Sequence, residues 1–598
     1  MRVLSPGNDG SVNQTNSATS NATATNANTA TQNSTQTLSG AGCGCASSPL
    51  QAATQLTGSD QAAGALSAAG QLAASNGSAP TAVAGSGSGG STTQSNADTS
   101  GANAANTNGS GQTSTQSSSG GSGLQAAQQS ADNSQGALAA SDATQIQPSN
   151  SNVSVRVLSP GNNGNVSQTN SASSDAKATN TNASTQGSGQ TAAGGGSGIQ
   201  AADQSSSNDQ TALSGSQATQ VRPENNNISV RVLSDGNDGN VSQTNAVKSN
   251  AASDNANTSR QTSTQSAAGG PSCGCGSSSP IQATIQHADN DQVAGALSVA
   301  QQSGATNSNT PIRVLSPGSG GSVTQSNTDT SSATAHNDNT SNQTASETGL
   351  FAGGCGCHSQ PIQAIGQSAS NDQTAIGFSA AIQQGASNTN GPIRVLSPGS
   401  GGSVNQSNTV DSSASGTNSN NASQHATETA FGLGGSPIQA IGQSADNSQT
   451  SFGASIAAQI FPERSPCGCG SASGNVNAPF SVLSPGSGGA VTQTNDVRST
   501  GTATNMNTTD QTATQNAGPS IGCGCGGSPI QALGQLGDNT QRAAGLSAAF
   551  QLGASNANRP TFVLGNSTFG PVMQRNAAAS TGTGMNTNRL TQSGRQAV

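Results

Sequence analysis

The chain has 598 residues, of which 30% are hydrophobic, 2% aromatic and 7% charged, with no Trp and no Tyr. So little apolar volume excludes an ordinary globular core of this size. A net charge of −9, without a basic stripe or aromatics spaced to stack bases, excludes nucleic acid as a partner. No apolar run approaches the roughly eighteen residues that would span a bilayer, so no membrane span is expected. Low hydrophobicity alone would give disorder, but disordered chains are usually charge-rich and have no reason to keep residue parity, as this one does.

In chain order, the first element is a turn-like heading, Arg2-Val3-Leu4-Ser5-Pro6-Gly7. Proline presets φ and glycine accepts positive φ, so Pro-Gly and Gly-Gly pairs fit tight turns. The heading's valine returns at Val83, Val157, Val232, Val314, Val395, Val482 and Val563, every 74 to 87 residues. The chain therefore divides into units 1–82, 83–156, 157–231, 232–313, 314–394, 395–481 and 482–562, with a C-terminal half-unit at 563–598. Strand-like residues precede later headings, as in Ile228-Ser229-Val230-Arg231, whereas Met1 is followed by the heading at once. The chain is thus expected to open inside a unit, without a signal peptide. The half-unit carries Arg575, Arg589 and Arg595 and is expected to act as a cap or as a docking edge for another subunit.

After each heading comes a segment with strict period 2. In the fifth unit its recurring face reads Val323, Gln325, Asn327, Ser331, Ala333, Ala335, Asn337, Asn339, Ser341 and Gln343. That parity specifies one face of a β-strand and leaves the other free. The second half of the unit alternates likewise, through Gln363, Ile365, Gln367, Ala369, Asn371, Gln373, Ala375, Gly377, Ser379, Ala381 and Gln383. Its other face also turns apolar at both ends, at Ile362, Ala364, Ile376, Phe378 and Ile382, which predicts cover on both sides. About twenty-five extended residues span roughly 80 Å, far beyond an ordinary strand. Each half is therefore expected to fold back as strand, arc, strand, with Ser444 to Ser448 as one such bend. Stacked layers would set Gln325, Asn327, Asn337, Asn339, Gln343, Gln363, Gln367, Asn371, Gln373 and Gln383 into amide ladders, so that a polar interior needs no large apolar core. The expected fold is all-β, a repeat β-solenoid or stacked β-arch array.

All ten cysteines fall in Cys-Gly-Cys pairs: Cys43 and Cys45, Cys273 and Cys275, Cys355 and Cys357, Cys467 and Cys469, Cys523 and Cys525. Residues two apart on a strand point the same way, so a pair closing on itself would be strained. Disulfides to a pair on another layer or chain would imply an oxidising, extracytoplasmic setting. Reduced thiols, or four thiolates holding a metal where two pairs meet, are the alternatives. His287, His336 and His425 stand at positions that vary between copies, and His358 follows only one of the pairs. No nucleophile, base and orienting acid recur together, so neither catalysis nor a cofactor is expected. The headings also lack the lysine and following helix of a phosphate loop.

Asn337, Asn339 and Gln343 in the first half, with Gln367, Asn371 and Gln373 in the second, resemble the curlin repeats of bacterial curli subunits. The resemblance implies a secreted β-solenoid subunit of amyloid-like biofilm fibres with inward Gln and Asn ladders. The function expected is a structural protein of an extracellular fibre, surface layer or biofilm matrix that self-associates into a homopolymer. An adhesive or ligand-binding array is the alternative, since rows such as Thr19, Thr23, Thr25, Thr29 and Thr31 could meet glycan or ice. A disordered low-complexity chain is the third reading.

Overall fold

The computed structural model describes residues 1–39, 50–119, 123–193, 198–269, 280–351, 360–432, 437–461, 474–518, 528–564, 567–568 and 570–597. Among them there is no helix, and every strand pairing is parallel. Each complete unit forms one rung with two long sides and one short side. Sheet I stacks eight strands: Val12–Ser39, Thr92–Ser119, Val166–Ala193, Val241–Gly269, Val323–Phe351, Val404–Gly432, Val491–Ala517 and Val572–Ala597. Sheet II stacks seven: Leu50–Leu72, Leu124–Ile146, Ile199–Val221, Ile281–Ser303, Ile362–Gln384, Ile438–Ile460 and Ile530–Leu552. Sheet III is built from short strands such as Ser149–Val157, Glu224–Val232 and Thr306–Val314. The chain is a parallel, in-register β-solenoid.

Equivalent residues stack on one another. Val241 lies beside Val166 and Val323, and Ile281 beside Ile199 and Ile362. The faces whose residues recur in sequence are those that sheets I and II turn toward each other. Burial alternates residue by residue along both.

Neither half folds back on itself. Strands of 23 and 28 residues run unbroken, and Asp446, Asn447 and Ser448 continue the strand Ile438–Ile460. The usual limit on strand length reflects how long one face can stay covered; here each long strand faces another long strand over most of its length. The small mid-strand residues are points of closest approach between the sheets. A Cβ built on Gly453 would lie 2.0 Å from the Thr502 carbonyl oxygen, and one on Gly377 2.4 Å from that of Ser415. Alanine fills the equivalent position in the first, second and fourth rungs, at Ala65, Ala139 and Ala296, and serine in the third, at Ser214. The expected cover on both faces of the second half is not met within the chain, because the outward face of sheet II is open: Leu138, Leu213 and Leu297 are 50%, 42% and 48% exposed.

Headings turn the corner from sheet III back to sheet I. In every heading the residue after the valine takes positive φ, as at Leu158, Leu233, Leu315 and Leu396. The glycine of Pro-Gly is demanded twice over. Gly318 has φ 135°, and a Cβ there would sit 2.2 Å from the Gly236 carbonyl one rung below.

Candidate functional site

The interior between the sheets is the chemically distinctive region. Many of the ladder amides spend their two N–H groups in two directions. Gln406 donates to Gln325 Oε1 at 2.8 Å, Gln325 to Gln243 at 2.8 Å, and the second N–H of Gln325 reaches the Thr389 carbonyl in sheet III at 2.9 Å. Gln343 donates to Gln261 at 2.9 Å and to the Ser368 carbonyl of sheet II at 2.8 Å. From sheet II, Gln363, Gln367 and Gln373 donate to Gln282, Gln286 and Gln292 at 2.8, 2.8 and 2.7 Å. Each also reaches back to a sheet I carbonyl, that of Thr429, His425 and Ser419 in turn. Gln383 donates to Gln302 at 2.8 Å. One hydrogen bond binds rung to rung and the other binds sheet to sheet, so a polar interior holds together where apolar packing is thin.

Asparagines run the other way. Asn327, Asn337 and Asn339 donate forward to Asn408, Asn418 and Asn420 at 2.9, 2.9 and 2.8 Å, and Asn371 donates forward to Asn447 at 2.7 Å. Glutamine ladders donate toward the N-terminal rung and asparagine ladders toward the C-terminal one. Their side-chain dipoles therefore oppose each other along the stack. All ten expected ladder residues are buried and in ladders. The ten cysteines lie outside the described residues.

Three features escape a reading by composition and period alone. A zigzag of serine hydroxyls alternates between sheets I and II: Ser331 donates to Ser298, Ser379 to Ser331, Ser412 to Ser379 and Ser455 to Ser412, each at 2.8 to 2.9 Å. It continues to Ser20 in one direction and Ser499 in the other. Its signal in sequence is a serine at a fixed place in both halves. Next, Arg156, Arg231, Arg313 and Arg394 stack at the corner in consecutive rungs. Their guanidiniums donate to heading carbonyls, Arg156 to Gly87 and Arg313 to Gly236, both at 2.8 Å. Arg313 also pairs with Asp238 at 2.8 Å. Burial pulls Arg231 down to about 10. The sequence signal is the arginine just before the heading valine.

Last, four acids stand at inward positions. Glu347 and Glu428 occupy successive places in a column that carries Gln265 below and Gln515 above. Gln515 donates to Glu428 Oε2 at 2.9 Å. Burial pushes the Glu428 carboxyl up to about 8 and Glu347 well above the carboxylate range, with Glu428 adding to the latter. A protonated carboxyl offers one donor and one acceptor, so it can stand in a glutamine ladder where a carboxylate could not. Asp98 and Asp329 share another inward column, and burial raises Asp329 well above its ordinary value.

Among the described residues no group of three His, Cys, Asp or Glu side chains is placed to hold a metal ion. Comparison with family models, curated proteins and solved structures finds no match.

Proposed function

We propose that the chain is a non-enzymatic structural protein of an extracellular fibre, surface layer or biofilm matrix. The observation that carries this reading is the laddered interior. Its buried polar atoms serve chiefly to bind one rung to the next, so a further rung from another copy would add the same hydrogen bonds again. In-register parallel stacking with amide ladders is the arrangement that gives cross-β assemblies their persistence. An extracellular location rests on the Cys-Gly-Cys pairs being oxidised.

The test is diffraction from aligned, concentrated protein. A meridional spacing near roughly 4.7 Å along filaments is expected; protein that stays free of filaments at millimolar concentration contradicts the reading. Peptide mapping without reductant should find the cysteines in disulfides, and free thiols would remove the argument for secretion.

The outward face of sheet I supports a second reading, an adhesive surface. Thr169, Thr244, Ser326, Ser407 and Thr494 stack in one column across five rungs. Columns of hydroxyls at rung spacing suit contact with glycan or ice. Altered ice-crystal shape or glycan retention by the intact chain would favour it.

A further inference from the structure

The outward faces of the two long sheets differ in kind. That of sheet I is rich in hydroxyls and amides. That of sheet II carries most of its large apolar side chains over the C-terminal half of the strands, positions 13 to 23 of 23, interspersed with threonine and glutamine and with Asp142 and Arg542 as the charged residues among them. Leu138, Leu213 and Ile376 recur at position 15, Leu297 at 17, Ile456 at 19 and Phe550 at 21. In interior rungs these side chains have neighbours above and below and are still open to solvent, Leu138 by 50% and Ile376 by 44%.

We infer that this half-face is the surface through which two copies of the chain pair side by side, sheet II against sheet II. Eleven residues at about 3.3 Å by seven strands at about 4.8 Å give a patch of roughly 1,200 Å². That exceeds the roughly 800 Å² per partner of a standard stable interface.

A second copy suits the patch because its side chains repeat at the same rung spacing. Rotation about a two-fold axis parallel to the stack keeps rung opposite rung and sets position 13 against 23 and 15 against 21, an isologous contact. Aspartates line the border of the patch at positions 9 and 11, among them Asp132, Asp209, Asp291 and Asp372. That axis leaves these aspartates at the rim, where charge belongs, and places only Asp142, at position 19, and Arg542, at position 13, within the contact. Exposed Arg222 follows position 23 of its strand, and the rotation carries it over the partner's aspartate border near Asp209.

The inference shares with the proposed function only the premise that the chain self-associates. Lateral pairing is read from short species in solution and end-to-end growth from filament length, so either can fail alone. Sedimentation of the intact chain at tens of micromolar should give a dimer. L138K/L213K/L297K should sediment as a monomer with an unchanged β-type circular dichroism spectrum, with Kd raised at least a hundredfold. T107K/T181K/T340K, on the outward face of sheet I, should remain dimeric. Should the triple lysine variant misfold, a photo-cross-linking residue placed singly at Leu213 should yield covalent dimer, and the same residue at Thr181 should not. A monomeric wild type, a dimer that survives the sheet II substitutions with its fold intact, or cross-links from Thr181 alone would each overturn the inference. Monomer that instead floats with phosphatidylcholine vesicles would assign the face to lipid and overturn it equally.

Discussion

Glu428 stands where the rungs on either side of the acidic pair carry glutamine, and its burial is one source of the chain's response to pH. Its carboxyl is held up to about 8 in the fold against 4.5 ordinarily. Below about pH 4.5 both folded and unfolded chains are protonated and nothing is lost. Between there and about pH 8 the unfolded chain ionises while the folded one does not, so stability falls as pH rises. The full loss is on the order of 5 kcal/mol for a group so shifted. E428Q is therefore expected to raise the melting temperature at pH 8.5 and to leave it unchanged at pH 4. Equal melting of the two proteins at both pH values would show that the carboxyl is not held protonated. Ser331 gives a second prediction. S331A leaves Ser379 without its acceptor and Ser298 without its donor, at a cost of about 1–2 kcal/mol. Denaturant melts of S331A and of an outward control, S332A, should separate by that amount.

At the scale of the strand, the inward and outward glycines should behave oppositely. A Cβ on Gly453 collides with the backbone of the facing sheet, whereas one on Gly366 meets nothing within 4 Å. G453V should cost about 3 kcal/mol or more, because the sheets must part along their length. G366V should add about 0.5–1 kcal/mol, since valine suits a strand better than glycine does. Thermal melts check both. The same glycines show where the sequence is legible and where it is not. Parity along Val323 to Gln343 and Gln363 to Gln383 marks the buried faces and names the ladder residues, because alternation is a local property of a strand. It does not distinguish a small residue that permits a bend from one that permits close approach, since that depends on the opposite sheet. Gly377 and Gly453 are of the second kind. Sheet III is legible only in outline, as the strand-like Ile228-Ser229-Val230-Arg231 before a heading. The direction of the arginine stack is not legible, because its acceptors are backbone carbonyls of the neighbouring rung.

For the whole molecule, in-register stacking makes the rungs interchangeable. Val232 lies beside Val314, so removing residues 232–313 joins Arg231 to Val314 and lets the path continue one rung shorter. The shortened chain is expected to keep the same circular dichroism per residue, and a coil spectrum would show that the rungs are not independent units of the stack. Each long segment crosses the molecule once, as a single strand. Spin labels on Thr169 and Thr185, both outward on Val166–Ala193, test it most directly in a background with the native cysteines replaced by serine. They lie sixteen residues apart, eight to either side of the middle of any fold-back at Lys177. An unbroken strand places them about 53 Å apart at 3.3 Å per residue. Double electron–electron resonance should find that distance, and a separation under about 25 Å would show that the segment folds back on itself.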